Sequence, residues 1–265
     1  MLRIFLLALG LALASPARAA PPRHIVSLNL CADQFLIRLA DPAQIAGLTK
    51  LSRMSNMSPI AAEAARFPTV GSSAEALLAA QPDLILTGWP AQADAALRAG
   101  LRTQILVVPP ANNYADIVSQ IRLVARAVGH PRRGEALIRR MEAELVAIPK
   151  TGRGRVAADY QRRGYLSGAG TLMDDMMRRV GLRNLSTELG LPPLANLPLE
   201  QLIAHRPDFL ITGTGKARDL GSAMLDHPAI AGIPRLRLPS PLVDCGSPSY
   251  PQAIRLLSDQ LRHKR

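Results

Sequence analysis

The chain has 265 residues, 48% of them hydrophobic and only 3% aromatic, with a formal net charge of +12. That length is ample for two lobes with their own cores, which aliphatic side chains must fill. The charge sits on scattered arginines without any motif of a nucleic-acid reader, so it reads as solvated surface and no nucleic-acid partner is expected.

The first residues set the compartment. Met1 and Arg3 form a short basic start, Ile4 to Ala14 is apolar, and Ala17-Arg18-Ala19 fits a small-x-small cleavage site. Residues 1–19 therefore read as a cleaved signal peptide, too short for a permanent span. No lipobox cysteine follows, and no other stretch is apolar enough to cross a bilayer. The expected location is the periplasm.

After this, His24 to Leu28 reads as a strand, with Asn29 to Asp33 as its exit turn and Gln34 to Leu39 as a helix stopped by Asp41-Pro42. Ile45 to Leu48 and Thr69 to Gly71 are short strands on either side of a polar loop, Lys50 to Ser58. Ser72 or Ser73 caps a helix that carries Glu75. Leu84 to Thr87 is a buried strand, Gly88-Trp89-Pro90 its exit turn, Gln92 to Ala99 a helix, and Gln104 to Val108 the last strand of this half.

The segment from Glu75 to Gly88 returns as Glu200 to Gly213, 125 residues later, with seven of fourteen positions identical. A period of about half the chain is a duplicated lobe and not a solenoid repeat. Between the copies, Ile117, Ile121, Val124 and Val128 form a helical stripe capped by Asn112 or Asn113 and ended by Gly129-His130-Pro131. Leu137, Met141, Leu145 and Ile148 mark a second helix. Such a joint is stiff and permits rocking more than wide opening.

The second half repeats the alternation: a strand over Arg155 to Tyr160, a loop over Gln161 to Gly170, and a helix over Leu172 to Val180. Then come a helix over Leu199 to Ala204, a strand over Phe209 to Thr212 and a loop over Gly213 to Gly221. A helix over Ala223 to Ala231, strands at Leu236 to Leu238 and Leu242-Val243, and a helix over Pro251 to Leu261 complete it. The fold class is α/β: two similar lobes of parallel sheet wrapped by helices, joined by a long rigid helix, with a ligand cleft between them. The expected boundaries are 20–110, 111–130 for the linking helix, and 131–265. Strand-end loops share one edge of each sheet, and ligands of open α/β sheets bind there.

Glu75 and Glu200 open matching helices. A carboxylate in a first helical turn stabilises it by about 0.3–1 kcal/mol without any further role. The same residue in both lobes suits a second role, docking on two arginine sites of a symmetric partner. Trp89, the only tryptophan, sits in a strand-exit turn and suits a stacking platform; Tyr160 and Tyr165 are comparable in the other half. Cys31 and Cys245 lie one in each half, and either a disulfide across the lobes or two free thiols is compatible with their number. Catalytic motifs are missing: there is no Gly-x-Ser-x-Gly elbow, no Walker lysine, and the five histidines have no zinc spacing.

Several stretches together resemble the periplasmic binding proteins of ABC importers, in the group with a rigid helical backbone that carries cobalamin, heme and ferric siderophores. They are Arg23 to Leu28, Val70-Gly71 leading to Glu75, Pro82 to Leu86, the joining helix, Gly181 to Asn184, and Leu199-Glu200 before Pro207-Asp208. The resemblance implies a non-enzymatic receptor: a monomer that binds a large metal chelate, needs no cofactor of its own, and docks on an inner-membrane ABC permease dimer through Glu75 and Glu200. The ligand-binding set it implies, with the strand-end loops, is Asn29, Cys31, Asp33, Arg53, Trp89, Tyr160, Arg162, Tyr165, Cys245 and Ser247. Trp89 matches a cleft position that is aromatic in cobalamin-binding members, which puts a corrinoid first. Arg53, Arg162 and Arg163 would suit a ferric siderophore, and Tyr160, Tyr165 or a methionine a heme iron. A chelatase-like enzyme using Asp33, Asp159 or Asp244 as a base is the rival reading.

Overall fold

The computed structural model describes residues 20–214 and 223–264. The expected signal peptide and most of the loop over Gly213 to Gly221 lie outside these residues. In the first lobe the order is β1 (Ile25–Ser27), α1 (Leu30–Leu39), β2 (Ile45–Gly47), α2 (Ala61–Ala64), α3 (Ala74–Ala80), β3 (Leu84–Thr87), α4 (Asp94–Arg98) and β4 (Gln104–Val107). The joint is α5 (Tyr114–Ala127) and α6 (Pro131–Val146). The second lobe holds β5 (Val156–Asp159), β6 (Tyr165–Ser167), α7 (Leu172–Arg179), β7 (Arg183–Asn184), α8 (Leu185–Glu188), β8 (Leu194–Asn196), α9 (Leu199–His205), β9 (Phe209–Thr212), β10 (Arg235–Arg237), α10 (Ser240–Val243) and α11 (Tyr250–His263).

Each lobe is built on a four-stranded parallel sheet, ordered β2-β1-β3-β4 in the first and β10-β9-β5-β7 in the second. The repeated Pro-Asp explains part of this likeness. Asp83 accepts from the backbone N–H groups of Arg23 and His24, at 2.6 and 3.0 Å, and so anchors the start of β1. Asp208 does the same for β5, accepting from Val156 N–H at 2.7 Å. The helix before each Pro-Asp ends on a residue with positive φ, Gln81 at 45° and Arg206 at 42°. A proline next in sequence bars continuation of the helix.

The central strands are buried on both faces, so their residues alternate between two cores. Ile25, Leu84 and Leu86 of the first sheet, and Ala157, Phe209 and Ile211 of the second, join one cluster with Ile121 of α5, Met141 of α6 and Leu257 of α11. Val26 and Ile85 pack instead with Leu77 and Ala96, and Ala158 and Leu210 with Tyr160 and Leu202. The two lobes thus share one continuous core along the joint, and each keeps a smaller core of its own.

The joint is a helical hairpin that spans the lobes twice. Tyr114 at its start donates its N–H to Asp175 of α7 at 3.1 Å. At the turn, Gln44 donates to the Val128 carbonyl at 3.1 Å, and Arg133 to the Leu39 carbonyl at 2.8 Å. Gly129, with φ of +86°, makes this turn, and His130 N–H closes it on the Ala125 carbonyl at 2.7 Å. Beyond α6, Ser258 of α11 donates to the Pro149 carbonyl at 2.8 Å.

Five local expectations are corrected. Helix α1 begins at Leu30, because Asn29 accepts from the N–H groups of Cys31 and Ala32 and caps it; the expected exit turn is its first turn. Thr69 makes a single parallel bridge to Leu48 and no strand. The loop after β5 contains β6, which pairs antiparallel with β8. Ala223 to Ala231 forms two short 3-10 turns, since Pro228 interrupts them. Leu242-Val243 lies in α10, which has proline in its first turn.

Candidate functional site

The carboxyl ends of the strands in both sheets carry the loops expected to bind ligand. Cys31 and Cys245 form a disulfide with Cα atoms 5.4 Å apart. Cys31 lies in the first turn of α1, just past β1, and Cys245 lies between α10 and α11, just past β10. The bond therefore brings the strand-end edges of the two lobes together, and neither cysteine offers a thiol to a ligand.

On the first lobe, Trp89 follows β3 with 58% of its surface exposed. Its turn is held by Gln92, whose Oε1 accepts from Gly88 N–H at 2.8 Å and from Thr87 Oγ1 at 2.6 Å. The Asn29 side chain packs on Gly88, so the cap of α1 and the tryptophan turn are neighbours. Arg53 is exposed and donates to the Phe67 carbonyl. On the second lobe, Arg162 and Tyr165 are exposed, and Tyr165 opens β6. Tyr165 at 54% and Leu194 of β8 at 73% exposure add apolar surface.

Besides Cys245, three expected ligand residues are buried and do other work. Asp33 is fully buried and accepts from Thr49 Oγ1 at 2.5 Å and Thr49 N–H at 3.3 Å, tying the Lys50 to Ser58 segment to α1. Burial pushes its carboxyl up to about 7, against the opposing hydrogen bonds from Ser27 and Thr49. Tyr160 packs in the second lobe's own core and donates its hydroxyl to the Leu197 carbonyl at 3.1 Å. Burial, and then the Glu200 charge, push that phenol up to about 12. Ser247 is buried and accepts from Ser249 N–H at 3.2 Å, at the entry to α11.

The cavity that opens at this edge has a volume of 670 Å³ and is built from residues beside the expected ones. Asp159, Gln161, Ser167, Thr212, Ser240 and Asp244 supply most of its polar atoms. Asp159 ends β5 and Thr212 ends β9, each a polar residue closing an apolar strand. Ser27 and Thr87 close β1 and β3 in the same way. That terminal polar residue was the signal for the cavity floor. Asn184 holds the wall by donating to the Ser167 carbonyl at 2.9 Å and to Asp174 at 3.1 Å. Burial holds the Asp159 carboxyl above its ordinary range, against hydrogen bonds from Ser167 and Gln161.

The profile of the family described as periplasmic binding protein matches residues 25–237. The chain belongs to this family. Among curated proteins none matches the sequence. Among solved structures, this periplasmic binding protein is similar to the periplasmic heme-binding protein RhuT from Roseiflexus sp. RS-1 in apo form. The two share 24% identity with a TM-score of 0.71, over 91% of this chain and 98% of that one. A periplasmic heme binding protein from Pseudomonas aeruginosa matches at 22% identity and TM-score 0.67, over 91% and 92%. The periplasmic vitamin B12 binding protein BtuF of Vibrio cholerae matches at 15% identity and TM-score 0.62, over 92% and 98%. At these identities the likeness shows the fold.

A periplasmic binding protein holds its ligand without making or breaking covalent bonds, so the chain is a receptor and not the chelatase of the rival reading. Among the described residues, no cluster of three or more His, Cys, Asp or Glu could hold a metal ion. Glu75 and Glu200 stand in the first turns of α3 and α9, both exposed. Ser73 caps α3 by accepting from Ala76 N–H at 3.3 Å, so Glu75 is not the cap of its helix.

Proposed function

We propose that this periplasmic binding protein captures a cobalamin-type corrinoid between its lobes and delivers it to an inner-membrane ABC permease dimer. The observation that carries the ligand class is Trp89. A tryptophan more than half exposed, held in a hydrogen-bonded turn at the strand-end edge, is a stacking surface for a large planar chelate. Tyr165 and Leu194 supply apolar contact from the second lobe. Residues 1–19 act as the cleaved export signal, and the ligand sits between lobes 20–110 and 131–265, which the linking segment 111–130 joins and which rock only slightly. In this reading Arg53 and Arg162 also contact the ligand. Glu75 and Glu200 dock the receptor, a monomer, on permease arginines.

The test is a calorimetric titration of the chain lacking residues 1–19 with cyanocobalamin. Saturable one-to-one binding is expected, and Trp89→Ala should weaken it about tenfold, near 1.4 kcal/mol. A flat titration would remove the corrinoid reading.

Heme is the second reading. It is supported by the similarity to RhuT and to the Pseudomonas aeruginosa protein, and by the exposed phenol of Tyr165 as an axial ligand. A shift of hemin's Soret band on adding the protein, lost with Tyr165→Phe, would favour it.

A further inference from the structure

The second-lobe wall of the cleft has an unusual charge. In a chain of net charge +12, the described residues that line the 670 Å³ cavity include two aspartates and no Lys, Arg or His. Its floor is Asp159, only 3% exposed. Both its oxygens are already engaged, accepting from Ser167 Oγ at 2.7 Å and Gln161 Nε2 at 2.5 Å. Asp244 lies at the mouth, and partial burial holds its carboxyl above the ordinary range.

The duplication marks a second feature of this wall. Thr87 of the first lobe donates to Gln92. Its counterpart Thr212 is 6% exposed, lines the cavity, and its Oγ1 is buried with no partner among the described residues. A buried hydroxyl left without a partner costs stability, and one kept at the wall of a ligand cavity has a use there.

We propose that this half of the cleft selects its chelate by charge, accepting an edge rich in uncharged N–H and O–H donors and excluding an edge that carries carboxylates. The inference rests on the reading of the cavity as the chelate site. A carboxamide can donate to Asp244 and exchange a hydrogen bond with Thr212. A carboxylate brought to the same wall would lose its hydration and meet two acidic groups, with no cation among the described lining residues to offset them. Discrimination of this kind works through the repulsive element as much as the attractive one. Among metal macrocycles it favours the carboxamide-fringed corrin over a porphyrin with free propionates.

The test compares ligands that share a ring and differ in edge charge. Dicyanocobinamide, whose side chains are carboxamides, should bind at least tenfold tighter than dicyanocobyrinic acid, whose side chains are carboxylates. Asp244→Asn should narrow that ratio at least threefold, and Thr212→Val should weaken cobinamide while leaving the melting temperature close to that of the parent. Equal or tighter binding of the acid would overturn the charge inference while leaving the corrinoid reading intact. If neither corrinoid binds, the corrinoid reading fails and hemin is compared with its dimethyl ester. Tighter binding of the ester then supports the charge inference, and tighter binding of the free diacid overturns it. Binding of none of the four by the folded protein overturns both.

Discussion

Cys31 and Cys245, separated by 214 residues of chain, are joined across the two lobes with their Cα atoms 5.4 Å apart. Closing a loop of that length restricts the unfolded chain by about 5 kcal/mol at most in the chain-entropy view. The shared core along α5, α6 and α11 is independent of the bond. Reduction should therefore lower the melting temperature without unfolding the protein at 25 °C. The Cys31→Ser, Cys245→Ser double variant should melt at the lower temperature with or without reductant. Equal melting of parent and variant under oxidising conditions would show that the bond contributes nothing.

Glu75 and Glu200 are exposed and lie outside the cavity lining. Replacing both with alanine should leave ligand affinity within about twofold and abolish uptake by the cognate permease. Calorimetry and an uptake assay on the same variant separate the two effects. Normal uptake by the double variant would remove the docking role.

Asp33 links stability to pH. Its carboxyl stands near 7 in the fold against an ordinary 3.8, so the folded state holds the proton more tightly than the unfolded chain. The contribution is most favourable below 3.8 and is lost as pH rises through about 7, by up to about 4 kcal/mol. Asp33→Asn keeps an acceptor for Thr49 and cannot ionise. Its melting temperature should vary less between pH 4 and pH 8 than that of the parent. Parallel profiles would contradict the assignment.

Gly134 sets the spacing of the joint. A Cβ there would lie 2.6 Å from the Ala125 Cβ. Alanine gains about 1 kcal/mol of helix propensity over glycine, but overpacking costs about 1–3 kcal/mol. Gly134→Ala should thus be neutral to destabilising by about 2 kcal/mol in urea unfolding, and Ala125→Gly in the same chain should recover part of the loss. A clear gain in stability would mean that the hairpin spreads at little cost.

Much of the secondary structure was readable because its signals are local. Asn113, Ser73 and Gly129 act at the helix ends where the sequence placed caps and stops. Strands β3 and β9 keep the bounds read from the repeat. The misread elements depend on distant partners. Strand β6 exists because β8, some thirty residues on, pairs with it, and neither segment is apolar enough to announce this. Tyr160 read as a stacking aromatic at the end of its strand, yet the carbonyl of Leu197 gives its hydroxyl a buried partner.

The sequence by itself determined the duplication, the parallel α/β class, the helical joint and the edge where the strand-end loops meet. The duplication shows as direct identity between two segments, and the rest follow from periodicity and capping, which act within a few residues. Tertiary structure alone decided that Cys31 and Cys245 pair, that Asp33 and Tyr160 are buried, and that Asp159, Thr212 and Asp244 wall the cavity. These depend on how elements far apart in the chain approach one another, and a separation of 214 residues leaves no local trace of a distance of 5.4 Å.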